Sequence, residues 1–446
     1  MPYRVLVTDE IDAEGVALLA AEPELLVDEV PTMPEDELVE RIGEYDAMVG
    51  RSATRVSKRL LRAARQLKVV GRAGVGVDNI ALDEATALGI AVVNAPAGNT
   101  IAVAELLFGS LLALLRHIPV ADRSMHEGRW DRSKLLGREL HGRTLGIVGL
   151  GRIGGEVAAR ASAFGMEVVA YDPYVPEDRF RTMRARQAES LDALLDAADL
   201  LTVHVPLNDE TRGMIGRREL ARLTPGAVVA NLARGGIVDE EALAAALESG
   251  KLAGAVVDVY GREPLPADHP LRNAPNAILT PHLGASTAEA QRNVAVDACI
   301  AVRDALLRGD LSRSVNVAAV HGDRWEELRP ALLVARRAAA VARALLADQG
   351  SRAVQRVALR CTPDLTGGAS ALLAAAAAGV LEGVIESGRL NLINARALAE
   401  ARGIELSVTE STRLGQPSAI EVVVGGAMQG VSVAGFALAG AQPRIT

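Results

Sequence analysis

"GIVGLGRIGGEV", residues 146–157, decides the fold. The apolar run "TLGIV" (144–148) leads into it and the helical pattern "EVAARASAFG" (156–165) leads out, which makes a strand, a tight turn and a helix. Within the turn Gly149, Gly151 and Gly154 stand in G-x-G-x-x-G spacing. The spacing alone is a weak signal. In this context every glycine serves a purpose, since the first makes the turn, the second lets a pyrophosphate approach the backbone, and the third lets helix pack on strand. The next strand-like run, "EVVAYD" (167–172), ends in Asp172, where a carboxylate accepts hydrogen bonds from ribose hydroxyls and repels a 2′-phosphate. The pattern therefore points to a dinucleotide site that prefers NAD to NADP.

Working outward, short Val/Ile/Leu runs recur on both sides. "LLTVHVP", "AVVANLA", "GAVVDVY" and "AILTPH" follow, and "YRVLVTD", "AMVG", "KVVGRAG" and "AVVNAP" precede. Such runs alternating with helical segments predict parallel sheets covered on both faces. "IAVAELLFGSLLALL" (101–115) carries Glu105, is too short to span a bilayer and reads as a buried helix. Near residue 317 the character changes to the helical stretches "LRPALLVARRAAAVARALLADQG", "ASALLAAAAAGVLEGVIESG" and "NARALAEARG", the strand "QRVALRC", and three strand-like runs ending in "GVSVAGFAL". The alanine run 374–378 reads as a tightly packed helix, because leucines and valines flank it. The expected fold is α/β: two doubly wound parallel-sheet domains followed by a C-terminal α+β domain.

A chain of 446 residues is long enough for two or three domains. Its 49% hydrophobic and 23% charged residues are globular averages. A net charge of −8 with both signs mixed gives no footprint for nucleic acid or an anionic membrane, so small-molecule partners are expected. Cys299 and Cys361 are the only cysteines, too few for a disulfide framework or a zinc site, and no metal is expected. "MPYRVLVTDE" lacks the pattern of a signal peptide, and a cytoplasmic setting is the expectation.

Hydride exchange with a dinucleotide needs a protein group to move the accompanying proton, and histidine titrates in the right range. A carboxylate on its second nitrogen would orient it, and an arginine fork would hold an anionic substrate. Three strand ends offer these groups: Arg234 in "NLARGGIVDE", Glu263 in "YGREPLP" and His282 in "TPHLGAST". Each taken singly has an ordinary explanation as a surface or loop residue. Together, at successive strand ends, they form a candidate catalytic set. His204 in "TVHVP" reads as lining the adenosine side, while His117, His126, His141, His269 and His321 read as surface groups.

"GRAGVGVDNI", "GIVGLGRIG", "NLARGGIVDE" and "TPHLGAST" are similar, almost word for word, to motifs of the phosphoglycerate-oxidising branch of the D-isomer-specific 2-hydroxyacid dehydrogenases. The match covers residues 3–316. The resemblance implies a flavodoxin-like substrate domain (1–97 and 284–316), a Rossmann NAD domain (98–283) and a cleft that closes between them. It implies Arg234 on the substrate carboxylate, His282 as general acid/base and Glu263 as its partner. It also places Asp172 on the adenosine ribose, the Arg152 and Ile153 amides on the pyrophosphate, Val205 in the adenosine pocket and Asp258 on the nicotinamide carboxamide. Leu232, Ala233, Gly284 and Ala285 complete the implied cofactor set. On the substrate side it implies Arg51 and Ser52 of "GRSAT" at the anionic end, backbone N–H groups of Gly74, Val75 and Gly76, and Asn99 at the domain junction. Arg132 and Lys134 of "GRWDRSK" are implied to reach toward a phosphate, from within the subunit or from a neighbour in a homodimer or homotetramer.

Residues 317–446 resemble the intervening domain of the longer relatives, in which an anionic effector can bind; Arg389, Arg396 and Arg402 are the candidate contacts, and assembly is ranked ahead of effector binding. In the long form a serine-binding ACT domain follows, whereas this sequence stops at "AQPRIT". The implied reaction is NAD-dependent oxidation of D-3-phosphoglycerate, opening the phosphorylated route to serine. Oxidation or reduction of another 2-hydroxy or 2-keto acid, such as hydroxypyruvate or glyoxylate, and a non-catalytic NAD-sensing role, are the alternatives.

Overall fold

The structure is a computed structural model that describes every residue except 1, 318–324, 352, 385–389, 427–428, 438–443 and 446. The chain divides into two compact units, Met1–Pro96 with Gln291–Thr446, and Ala97–Ala290.

The first unit holds two sheets. Strands β1 (Tyr3–Val7), β2 (Leu25–Glu29), β3 (Ala47–Gly50), β4 (Val69–Arg72) and β5 (Ala91–Asn94) lie in the order β2-β1-β3-β4-β5. All pairings are parallel, the flavodoxin-like winding. β3 and β5 are buried along their whole length, which is why their sequences carry no polar alternation. The helix Ala288–Arg308 packs on this sheet, and a Cβ at Gly15 would come within 2.7 Å of the Ala295 backbone. Residues 314–316 return alongside β5: Val315 N–H donates to Val92 O (2.8 Å), and Val92 N–H donates to Asn316 Oδ1 (2.9 Å).

The second sheet of this unit is mixed, in the order β14-β13-β15-β16-β17, from β13 (Arg356–Cys361), β14 (Glu405–Glu410), β15 (Ala419–Gly425), β16 (Gly430–Phe436) and β17 (Arg444–Ile445). Against it lie the helices Trp325–Asp348 and Ala369–Leu381. The alanines 374–378 are all buried, and a Cβ at Gly379 would stand 2.0 Å from Arg336 O, so small residues set how closely these helices approach. The sequence pattern extends the second helix to residue 388. It ends instead at Leu381, because Glu382 is extended (ψ 126°) and Gly383 takes a left-handed turn (φ 76°). The remainder of that stretch falls largely outside the described residues. Pro363–Leu381 is apolar and long enough to cross a membrane, but it is 72% buried within the fold, as a core helix is.

The second unit is one seven-stranded parallel sheet in the order β12-β11-β10-β9-β6-β7-β8. Its strands are β6 (Thr144–Val148), β7 (Glu167–Tyr171), β8 (Arg186–Gln187), β9 (Leu200–Val203), β10 (Ala227–Asn231), β11 (Leu252–Val257) and β12 (Ala277–Leu279). Helices Thr100–Leu115 and Arg152–Ala163 cover one face, and Leu191–Ala197, Arg217–Arg222 and Glu240–Glu248 the other. Strand order reverses between β6 and β9, and ligands of such sheets bind at this switch point, outside the carboxyl ends of the strands. Edge strands β2 and β8 have no counterpart among the apolar runs: "LLVDE" turns acidic after three apolar residues, and "RQ" is two polar residues, both exposed.

Candidate active site

The glycine turn follows β6 directly. Gly149 has φ 93°, and a Cβ there would stand 2.8 Å from His204 O and from Val205 Cγ1. A Cβ at Gly154 would meet Gly149 O at 2.1 Å, so this glycine serves the protein's own packing. Gly151 differs: nothing lies within 4 Å of its missing Cβ, which leaves open space over the turn. The helix Arg152–Ala163 starts there with no side-chain cap, so its first N–H groups, including those of Arg152 and Ile153, remain as donors for an anion. At the end of β7, Asp172 accepts from Leu150 N–H (2.8 Å) and Tyr174 N–H (3.0 Å), which fixes the carboxylate beside the turn. Open glycine, uncapped helix start and flanking carboxylate fit a dinucleotide.

The catalytic candidates sit on the loops after β10, β11 and β12, and three buried polar side chains shape those loops. Asn231, ending β10, accepts from Ala233 N–H (3.1 Å) and donates to Arg234 O (2.9 Å), curling "LAR" over the strand end. A Cβ on Gly235 would stand 1.9 Å from Tyr260 C, so the Arg234 loop lies directly on the loop after β11. There Glu263 Oε1 accepts from Tyr260 N–H (3.0 Å), and Tyr260 Oη lies 3.0 Å from both Val257 O and Thr280 O, tying this loop to β12. Asp258 is fully buried (0% exposed) and accepts from Thr280 Oγ1 (2.6 Å), Leu283 N–H (2.7 Å) and Gly284 N–H (2.9 Å).

This scaffold holds His282 in a left-handed backbone conformation (φ 57°) with Nδ1 2.8 Å from Glu263 Oε2. A carboxylate oxygen accepts, so Nδ1 is the donor in this pair, and in the neutral ring Nε2 then presents a lone pair. The two side chains are 49% and 39% exposed, so the pair is open to a ligand. Arg234 is half-buried, with Nη1 donating to Ala233 O (2.7 Å). Glu263 and His282 thus pair across adjoining strand ends, and the Arg234 loop packs on the loop that carries Glu263, with Leu232 and Ala233 just before Arg234 and Gly284 and Ala285 just after His282. A Cβ on Gly284 would touch Val103 (3.2 Å) and Asp258 (3.3 Å), which brings in the first turn of the helix that Asn99 precedes.

His204 is desolvated beneath the turn, with Nε2 3.0 Å from Thr202 Oγ1, and burial pushes its pKa down to about 4. His269 is not the surface group its polar setting suggests: it pairs with Glu240 at 3.1 Å and is largely covered, while Glu240 Oε1 also accepts from Gly261 N–H (2.6 Å). His321 and Arg389 lie outside the described residues. Arg396 bonds Ser370 Oγ (2.8 Å) and Arg402 bonds Leu398 O (3.0 Å). Arg132 and Lys134 occupy an exposed turn where Lys134 pairs with Asp131 (3.2 Å). In the first unit, Arg51 and Ser52 follow β3, and Gly74, Val75 and Gly76 follow β4. Tyr260, Thr280, Asn231 and Glu240 are additions that the sequence pattern does not single out, although Asn231 and Asp258 each break an apolar strand run at its end.

A glycine turn for a dinucleotide and a histidine–carboxylate pair beside an arginine, all at the carboxyl ends of one parallel sheet, define an NAD-dependent 2-hydroxyacid dehydrogenase. Residues 108–284 match the family model described as the D-isomer specific 2-hydroxyacid dehydrogenase NAD binding domain. The D-3-phosphoglycerate dehydrogenase of Synechocystis sp. is 40% identical over 446 residues, 99% of this chain and 79% of that protein. A crystal structure of a Thermus thermophilus protein shares 36% identity with a TM-score of 0.64, covering 70% of this chain and 99% of that one. The D-lactate dehydrogenase of Aquifex aeolicus, complexed with NAD and lactic acid, shares 29% identity with a TM-score of 0.61, covering 70% of this chain and 98% of that one. The chain belongs to the D-3-phosphoglycerate dehydrogenase family.

Proposed function

We propose that the chain oxidises D-3-phosphoglycerate to 3-phosphohydroxypyruvate, the entry to phosphorylated serine synthesis, in a cytoplasmic setting. Family membership supports the reaction, and the observation that carries the mechanism is the 2.8 Å pairing of His282 Nδ1 with Glu263. Bound NAD supplies the hydride acceptor. His282 Nε2 takes the proton of the substrate 2-hydroxyl, Glu263 stabilises the imidazolium through Nδ1, and Arg234 holds the carboxylate with its planar fork. Asp172 on the ribose and the Arg152 and Ile153 amides on the pyrophosphate orient the dinucleotide, with Val205, Leu232, Ala233, Asp258, Gly284 and Ala285 around it. Arg51, Ser52, Gly74, Val75, Gly76 and Asn99 are assigned to the substrate, and residues 1–97 with 284–316, 98–283 and 317–446 to substrate, cofactor and accessory domains.

Arg132 and Lys134 are assigned to the phosphate of a substrate in a partner copy. Apolar residues near this turn support a homodimer: Trp130 is 79% exposed and Leu136 89%, with Ile118, Val120 and Met125 also open. Light scattering of Trp130→Asp tests this, with dissociation expected and an unchanged mass contradicting it. The reaction itself is tested by NADH formation from NAD and D-3-phosphoglycerate. No turnover in either direction, with NADH still bound, would replace catalysis by a dinucleotide-sensing role.

A further inference from the structure

A buried carboxylate beneath the Arg51 loop takes no part in the chemistry proposed above. Asp9 follows β1, is 5% exposed, and stands with Glu10 in left-handed backbone conformations (φ 67° and 49°). Its Oδ2 accepts from Arg51 N–H (2.8 Å) and Thr54 N–H (2.9 Å). Its Oδ1 accepts from Thr54 Oγ1 (2.6 Å) and Thr32 Oγ1 (2.7 Å). These four bonds use the carboxylate's capacity as an acceptor. Burial pushes the carboxyl upward, but the bonds from Thr54, Thr32 and the two amides outweigh it and hold its pKa below the usual range.

From the other side Asn79 Nδ2 donates to Arg51 O (2.9 Å) and Thr54 O (2.7 Å). Both main-chain polar groups of Arg51 and of Thr54 are therefore pinned, while Ser52 and Ala53 between them are exposed. The loop is an arch clamped at both feet. Asn79 belongs to "GVGVDNI", the segment that begins with Gly74–Gly76, and its own carbonyl accepts from Val56 N–H (2.9 Å). The clamp thus ties one loop to the other.

We infer that Asp9 and Asn79 are positioning residues that set the spacing between the Arg51–Ser52 arch and the Gly74–Gly76 loop, and so the grip on the anionic end of the substrate. The inference rests on the assignment of these two loops to substrate. Neither residue meets the substrate, and both act through the arch.

Steady-state kinetics with NAD and D-3-phosphoglycerate on Asp9→Ala, Asp9→Asn, Asn79→Ala and Arg51→Ala, with calorimetric NADH binding, tests it. Asp9→Ala and Asn79→Ala raise KM by about tenfold or more with kcat within about threefold, the signature of misplaced binding groups. NADH affinity is unchanged, because its proposed residues lie in the other unit. Asp9→Asn recovers a KM near wild type: its carbonyl can take the two N–H groups while its amide donates to the two hydroxyls. A purely structural role would lower the melting temperature and the active fraction but leave KM of the folded protein unmoved. Wild-type KM in folded Asp9→Ala or Asn79→Ala, with KM raised in Arg51→Ala, overturns the inference alone. Wild-type KM in Arg51→Ala as well overturns the substrate assignment and the inference with it.

Discussion

The carboxylate of Asp258 fastens the chain on both sides of His282, through a side-chain hydroxyl before it and two main-chain N–H groups after it. It binds the Thr280 hydroxyl two residues before and the N–H groups of Leu283 and Gly284 just after, all within 2.9 Å. A histidine in left-handed conformation needs such fastening, since that backbone costs about 1–2 kcal/mol outside glycine. Asp258→Ala leaves these donors without their buried acceptor, at about 1–3 kcal/mol for each one unsatisfied. The expected outcome is a lower melting temperature together with a fall in kcat of about tenfold or more, as the His282 ring loses its aim. Thermal unfolding and kinetics on one preparation check it, and wild-type values for both would contradict it.

Gly151 and Gly154 separate ligand space from protein space. Gly154→Ala puts a methyl against Gly149 O and is expected to lower the melting temperature. Gly151→Ala meets no protein atom and is expected to leave stability within about 1 kcal/mol while weakening NADH binding by about tenfold or more. Calorimetry and thermal unfolding of both variants distinguish the two effects. Equal stability loss in both would contradict the open-space reading of Gly151.

Asp172 sets the choice between dinucleotides. Replacing it with alanine removes the charge that repels a 2′-phosphate, so the ratio of NADH to NADPH affinity is expected to fall by about tenfold or more. Competitive binding of the two reduced cofactors measures this. An unchanged ratio would move the selectivity elsewhere.

His204 makes stability depend on pH in a defined window. Its pKa is pushed down to about 4 from 6.5 by burial, so the unfolded chain binds a proton at acid pH that the folded chain refuses. Stability from this group is complete above pH 6.5 and falls as pH drops toward 4, by about 3 kcal/mol at the lower end. His204→Gln removes that part of the dependence. Denaturant unfolding at intervals across the window should show a shallower slope for the variant, and parallel curves would contradict the assignment.

The parts of the fold that repeat a chemical pattern are legible in the sequence. The buried parallel strands show as uninterrupted Val and Ile runs, and Gly149, Gly151 and Gly154 declare the turn because no other residue fits two of those positions. Arg234, Glu263 and His282 are recognisable by type and by their place after strand runs. Tyr260, Thr280 and Asp9 are not, since their roles arise from contacts between loops far apart in sequence, and Asn231 is not, since its local bonds to Ala233 and Arg234 follow from the turn rather than from residue type. Edge strands β2 and β8 escape because their apolar stretch is short or absent, "LLV" before two acidic residues in one and "RQ" in the other, and the end of the Ala369–Leu381 helix because composition through residue 388 remains compatible with helix. His269 has the sequence setting of a surface group, and only folding sets it against Glu240.

The most direct measurement compares kcat/KM for D-3-phosphoglycerate and D-glycerate in wild-type and His282→Asn protein, with NADH affinity measured alongside. The expected result is a clear preference for the phosphorylated acid in the wild type and a loss of turnover of about a hundredfold or more in the variant, with NADH binding intact. Wild-type turnover in His282→Asn, or no NADH formation from the phosphorylated acid, would contradict the proposed chemistry.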